Sequence, residues 1–179
     1  MEAQASGVKR LALKHTRSLK VTDDVMCCRY SPDGRVIALG LLDNTIQLFH
    51  ADSLNFHLSL YGHSLPILSL DISSDSTLLV SASADKSLKV WGLDFGDLHK
   101  SMFAHADSVM QVRFIPNTHY AISVGKDKLV KYWDCDRFEL IMILEAHCAP
   151  VWGLAINSVV NPLSSLIYLS VYISSRIMH

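Results

Sequence analysis

Three histidines, His63, His105 and His147, stand 42 residues apart. Asp43, Asp85 and Asp127 keep the same interval, as do Phe49, Trp91 and Trp133. The offsets inside each copy also hold. His63 precedes Asp85 by 22 residues and Asp85 precedes Trp91 by 6, and His105, Asp127 and Trp133 repeat both. Ser81 and Ser123 each lie 4 residues before their aspartate. A fixed period with matched residue types restricts the chain to a repeat architecture, in which one copy buries its apolar face only against its neighbours.

The period lies in the range of propeller blades, and the pattern within it is β. The first copy reads as strands over 25–30, 35–40, 45–50 and 55–61, with the turn SPDG (31–34) after the first; its Pro and Gly suit a type I turn. The second reads as 67–72, 77–81, 87–91 and 98–103, and the third as 109–114, 120–124, 129–133 and 138–144. Each is short, rich in Val, Ile, Leu and Ser, and bounded by Gly, Asp, Asn or Pro. Residues 11–20 alternate weakly, as an edge strand would. No apolar stripe of helical period runs for 11 residues, so almost no helix is expected before residue 157.

The predicted fold is therefore all-β: about three four-stranded antiparallel propeller blades plus a partial fourth, in an open arc, since closure usually takes more blades. The expected units are a basic arm and edge strand (1–20), a degenerate repeat (21–61) and two full repeats (62–103 and 104–145). The start of another (146–157) and an apolar tail outside the repeat (158–179) follow.

Chemistry explains the recurring quartet. An indole offers one N–H, a serine hydroxyl donates and accepts, imidazole has two ring nitrogens, and a carboxylate only accepts. Trp91, Ser81, His63 and Asp85 can thus form a relay, as can Trp133, Ser123, His105 and Asp127. An unpaired member in a dry sheet would cost about 1–3 kcal/mol. A catalytic triad uses the same Ser, His and Asp, but one active site per copy is improbable. Both quartets are read as structural. In the first copy the positions are Val21, Leu39, Asp43 and Phe49, so only the aspartate survives and apolar packing must serve. In the fourth, His147 is a repeat landmark with no carboxylate, Cys or His at ligand spacing, and no metal is expected there. Ser165 fills the Ser slot, while Leu169 and Ser175 fill the Asp and Trp slots.

Half of the chain is apolar and its net charge is −1, which alone points to neither nucleic acid nor a membrane. Residues 1–20 carry five basic residues against Glu2, an arm suited to solvation or to contact with RNA phosphates or an import factor. Cys27, Cys28, Cys135 and Cys148 contain no CxxC and read as reduced thiols. The start, MEAQASGVKRLALKH, lacks the apolar core of a signal peptide, which leaves cytosol or nucleus. Three readings of the tail stay open. It is a degenerate strand at 166–173, a membrane segment within the uncharged run 148–175, or sequence foreign to the fold, as a truncated or mis-spliced product would carry.

The chain resembles WD40 repeats at Gly62-His63, Ala104-His105, Trp91-Gly92 and the dipeptide Trp133-Asp134. The runs SLYGHSLPILSLDIS, SADKSLKVWGLDFGDLHKSMFAHADSVM and LEAHCAPVWGLAI are similar to the large tandem-propeller WD40 subunits of the U3 small nucleolar ribonucleoprotein. The distinctive part is WGLDFGDLHKSMFAH (91–105), which the generic repeat does not dictate. The resemblance covers residues 10–157 and part of the second propeller of such subunits. It implies a non-catalytic scaffold of the nucleus and nucleolus, acting in pre-rRNA processing and small-subunit (40S) ribosome biogenesis. Its partners would be proteins of the small-subunit processome and the U3 snoRNA-containing particle. It implies no cofactor, no small-molecule substrate and no membrane. The alternatives are a WD40 adaptor in signalling or ubiquitin ligation, a truncated product without activity of its own, or a hydrolase using a Ser/His/Asp set.

Overall fold

The structure is a computed structural model, and it describes residues 17–145 and 147–156. Among these residues twelve strands follow in chain order. The first sheet holds β1 (Val25–Tyr30), β2 (Val36–Leu41), β3 (Ile46–His50) and β4 (Phe56–Leu60). The second holds β5 (Ile67–Ile72), β6 (Leu78–Ser83), β7 (Ser87–Gly92) and β8 (Leu98–Phe103). The third holds β9 (Val109–Phe114), β10 (Tyr120–Gly125), β11 (Val130–Asp134) and β12 (Glu139–Leu144). Each sheet is an antiparallel meander in sequence order. Among the described residues there is no helix, and the sheets do not close on one another.

Several strands start one residue later than the alternation predicts, and at five of these starts a turn side chain holds the amide just before the strand, although β7 starts where predicted with the same bond at Ser87. The amides of Arg35, Thr45, Thr77 and Leu129 each donate to the carboxylate of the aspartate two residues before them. The Asn55 amide donates to the Ser53 hydroxyl. A side chain in the turn thus takes the donor that would have opened the ladder. The corners themselves repeat: Asn44, Lys86 and Lys128 adopt φ of 71°, 72° and 71° just after their aspartates. The other edge of the period is a pair of irregularities in register. Between the inner strands they fall at Val25/Cys27, Ile67/Ser69 and Val124/Gly125. Between the outer strands they fall at Leu48/Phe49, Val90/Trp91 and Tyr132/Trp133. A bulge re-aims side chains and raises local twist, so all three sheets share one curvature.

The second sheet is buried on both sides. Ile67, Leu79 and Trp91 pack against Ile46 and Leu48 of the first sheet, while Leu78, Val80 and Val90 pack against Val112 and Phe114 of the third. Hence every residue of β6 is buried. Polar ties join the sheets where they meet. Ser69 Oγ accepts the Val112 amide at 3.3 Å, and Asp71 Oδ2 accepts that of Phe114 at 2.8 Å. Ser74 Oγ accepts the Asn117 amide at 2.9 Å. Gly40 sits where the first sheet touches the second: a methyl group there would stand 2.6 Å from Ile67 Cγ2 and 2.7 Å from Cys27 Sγ.

Two expectations need correction. Residues 17–20 form no strand, and the rest of the supposed 11–20 edge strand lies outside the described residues. Residues 148–156 match the innermost-strand pattern but are irregular. A strand needs a ladder, and the described residues supply this segment with no second strand of a fourth sheet. It is held on the third sheet by isolated bonds from the Val151 amide to the Gly125 carbonyl and from the Leu154 amide to Gln111 Oε1, and by Val151 and Leu154 buried against Ile122, Val124 and Val130. The tail readings for 158–179 lie outside the described residues.

Candidate functional site

Each quartet draws on four places in its sheet. In the second sheet, His63 comes from the loop before β5, Ser81 from β6, Asp85 from the β6–β7 corner and Trp91 from β7. Trp91 Nε1 donates to Ser81 Oγ at 2.9 Å. His63 Nε2 lies 2.8 Å from the same hydroxyl, and His63 Nδ1 lies 2.7 Å from Asp85 Oδ2. The third sheet repeats this geometry. Trp133 Nε1 to Ser123 Oγ is 2.9 Å, His105 Nε2 to Ser123 Oγ is 2.8 Å, and His105 Nδ1 to Asp127 Oδ1 is 2.8 Å.

The proton positions follow from the donor inventory. An indole only donates, so the serine oxygen accepts from it and turns its own hydrogen toward imidazole Nε2. That leaves Nδ1–H for the carboxylate and makes the imidazole neutral. Burial pushes the pKa of His63 and of His105 down, and the facing aspartate only partly offsets it. Burial works against ionisation of Asp85 too, yet hydrogen bonds from Ser87 and His63 outweigh it and hold the carboxyl at about 2. Asp127 is lowered against burial by His105 and the Ala106 amide. These carboxylates also accept the backbone amides of Ser64 and Ala106, and so pin the histidine loop to the corner.

Chemically the sets are spent. Ser81 and Ser123 are fully buried, and each hydroxyl already serves an indole and an imidazole. Among the described residues no buried side-chain nitrogen or oxygen lacks a partner. No group of three His, Cys, Asp or Glu among them is placed to hold a metal. Burial pushes the thiols of Cys27 and Cys135 up to about 12.

The first sheet has no relay. Leu39 and Phe49 are buried with Val21 beside them, and Asp43 accepts from Thr45 and, at 3.3 Å, from Thr22 Oγ1. Gln47 Nε2 reaches the same Thr22 oxygen at 2.9 Å. Sequence reasoning missed Thr22 and Gln47, as it missed Lys89 and Lys131, although Gln47, Lys89 and Lys131 keep the 42-residue interval. Both lysines turn inward: Lys89 Nζ donates to Ser101 Oγ and Lys131 Nζ to the Ala104 carbonyl, each at 2.5 Å. Ser87 was also missed; its Oγ lies 2.6 Å from Asp85 Oδ1. His147 is half-buried, and the positions that would complete its set lie outside the described residues.

Known proteins share this fold. The family model of the WDR3 second beta-propeller domain matches residues 1–166. U3 small nucleolar RNA-associated protein 12 of Saccharomyces cerevisiae is 56% identical over 61 residues, which are 34% of this chain and 6% of that protein. Human WD repeat-containing protein 3 is 51% identical over 59 residues, 33% of this chain and 6% of that one. The solved structure of U3-55K superposes with a TM-score of 0.73 at 25% identity, covering 75% of this chain and 43% of that one. The matched stretch is thus a small part of these curated relatives.

Proposed function

The chain belongs to the WDR3 second beta-propeller domain family, and we propose from that premise that it is a non-catalytic scaffold of the small-subunit processome. In this reading it works in the nucleolus, in the processing of pre-ribosomal RNA, and binds processome proteins and, through them or directly, the U3 snoRNA particle. Residues 62–103 and 104–145 are its two complete repeats, 21–61 a degenerate one and 146–157 the start of a further one.

One observation carries the non-catalytic part. Ser81 and Ser123 are sealed in the sheets with their hydrogen bonds committed, so neither is poised as a nucleophile. The quartets serve instead to hold loops in place. The surfaces available for work are the loops and sheet edges around them. Scaffolding of this kind fits the resemblance in the outer loop and strand 91–105 and the likeness to U3-associated proteins.

The test is affinity capture of the tagged chain from nuclear extract, probed for U3 snoRNA and processome proteins. Enrichment of both is expected. Recovery of ubiquitin-ligase or signalling components without U3 snoRNA would favour an adaptor of another pathway. Labelling of Ser81 or Ser123 by a fluorophosphonate would overturn the non-catalytic reading.

A further inference from the structure

Arg29, Asp71 and Arg113 occupy one place in three successive repeats, on the innermost strands β1, β5 and β9. Arg29 meets the next sheet's carboxylate, Nε to Asp71 Oδ1, at 3.3 Å. The register runs on beyond the third sheet. The Leu154 amide donates to Gln111 Oε1 at 2.5 Å, as the Val112 amide does to Ser69 Oγ one repeat earlier. The place opposite Arg113 that would continue the pairing therefore falls to Ala155, which is exposed and uncharged.

Arg113 is left unanswered. Its Nη1 lies 3.4 Å from the Leu70 carbonyl and 3.3 Å from that of Val112. No carboxylate among the described residues is within ion-pair distance of it. A guanidinium has five N–H donors in a fork shaped for a carboxylate, so most of its capacity is unused. Arg113 and Arg29 share a cavity of about 460 Å³ with Leu68, Met110 and Trp152, and among the described residues no acidic side chain lines it. Trp152 is 48% exposed, and Lys126 Nζ stands 5.6 Å from the centre of its ring.

We infer that this inner wall binds an acidic, apolar peptide segment of a partner protein, one carboxylate pairing with Arg113 and a neighbouring apolar side chain resting on Leu68, Met110 and Trp152. The charge asks for an anion. The lining asks for hydrocarbon beside it. A single-stranded nucleic acid fits less well, because it binds by stacking bases on aromatic faces along a run of cations. Lys126 already stands over the Trp152 ring, and Leu68 and Met110 are not aromatic. This inference does not depend on which particle the chain joins.

Fluorescence anisotropy on the full 179-residue chain tests it, with a short fluorescein-labelled peptide alternating Glu and Leu as probe. A Gln–Leu peptide and a labelled oligouridylate of matching length serve as comparators. The Glu–Leu peptide should bind at least about tenfold tighter than its Gln–Leu counterpart. Arg113→Gln should remove that preference, and Arg113→Lys should keep part of it, since a point charge lacks the fork. Ala155→Glu, an exposed substitution, would supply the carboxylate within the chain. It should abolish peptide binding and leave the melting temperature equal or higher, even if Arg113→Gln fails to fold. Equal affinity for the Glu and Gln peptides, unchanged binding by Ala155→Glu, or oligouridylate displacing the peptide would each overturn the inference.

Discussion

His63 Nε2 and Trp91 Nε1 converge on one atom, Ser81 Oγ, at 2.8 and 2.9 Å. Neither nitrogen has another partner in the dry interior of the sheet, so the hydroxyl is the joint of the relay. Ser81→Ala should leave both unpaired and cost about 1–3 kcal/mol or more. Asp85→Ala removes the acceptor for His63, Ser64 and Ser87 together and should destabilise at least as much. Asp52→Ala lies at an exposed turn outside the relay and should lose clearly less. Urea unfolding of the three variants checks the order. Equal losses from Asp85→Ala and Asp52→Ala would sink the relay.

Gly125 makes a sharper test of the third quartet. A methyl group there would stand 2.7 Å from His105 Nδ1 and 2.8 Å from Asp127 Oδ1, between the two groups that bond. Gly125→Ala should therefore lose about 1–3 kcal/mol by overpacking, with the His105–Asp127 contact broken. In the second repeat the same place holds Ser83, whose hydroxyl accepts the Asp85 amide and donates to the Leu65 carbonyl. Ser83→Gly should be the milder change. Nuclear magnetic resonance of the imidazole Nδ1–H would report the broken bond directly.

The matched intervals made the strands and quartets legible, because a period exposes every residue type that must recur for the sheets to fit. It could not show what replaces a missing member. Thr22 and Gln47 stand in for the lost relay of the first sheet through one shared hydroxyl, and no offset inside the repeat points to Thr22. Strand starts were misplaced at Arg35, Thr45, Thr77 and Leu129, whose amides bond to turn carboxylates that alternation does not reveal. Residues 148–156 carry the apolar order of an inner strand, but strand formation is a property of a pair.

His119 joins the second and third sheets from outside the repeat pattern. Its Nδ1 lies 2.7 Å from Asp136 Oδ1 and its Nε2 lies 3.0 Å from Asp75 Oδ2. Both nitrogens face acceptors, so the clasp is complete only as imidazolium. Burial opposes that charge, but the two carboxylates outweigh it and raise the His119 pKa. The folded pKa lies above the unfolded one. The contribution is thus full below about pH 6.5 and is lost as pH rises through the raised folded value. His63 and His105 act in the opposite sense: their folded values are lowered, so stability falls as pH drops below about 6.5. Thermal melts of His119→Gln and the parent chain should differ by about 0.5 kcal/mol in mild acid and converge in alkali, given the partial exposure of the clasp. A gap that widens with pH would reverse the assignment.

On β12, the outer strand of the third sheet, Leu140, Ile141, Met142, Ile143 and Leu144 are 40–51% exposed in succession, and among the described residues β11 alone pairs with it. A long apolar strand with an open edge is a template for pairing with another chain. Natural edges carry a charge to prevent this, and here only Glu139 at the strand's start supplies one. The purified chain should therefore self-associate with rising concentration, seen as growing light scattering. Ile141→Lys should suppress the scattering. It should leave the melting temperature near that of the parent, because the side chain is already half in water. A parent chain that stays monomeric and melts cooperatively at high concentration would show that this edge is protected.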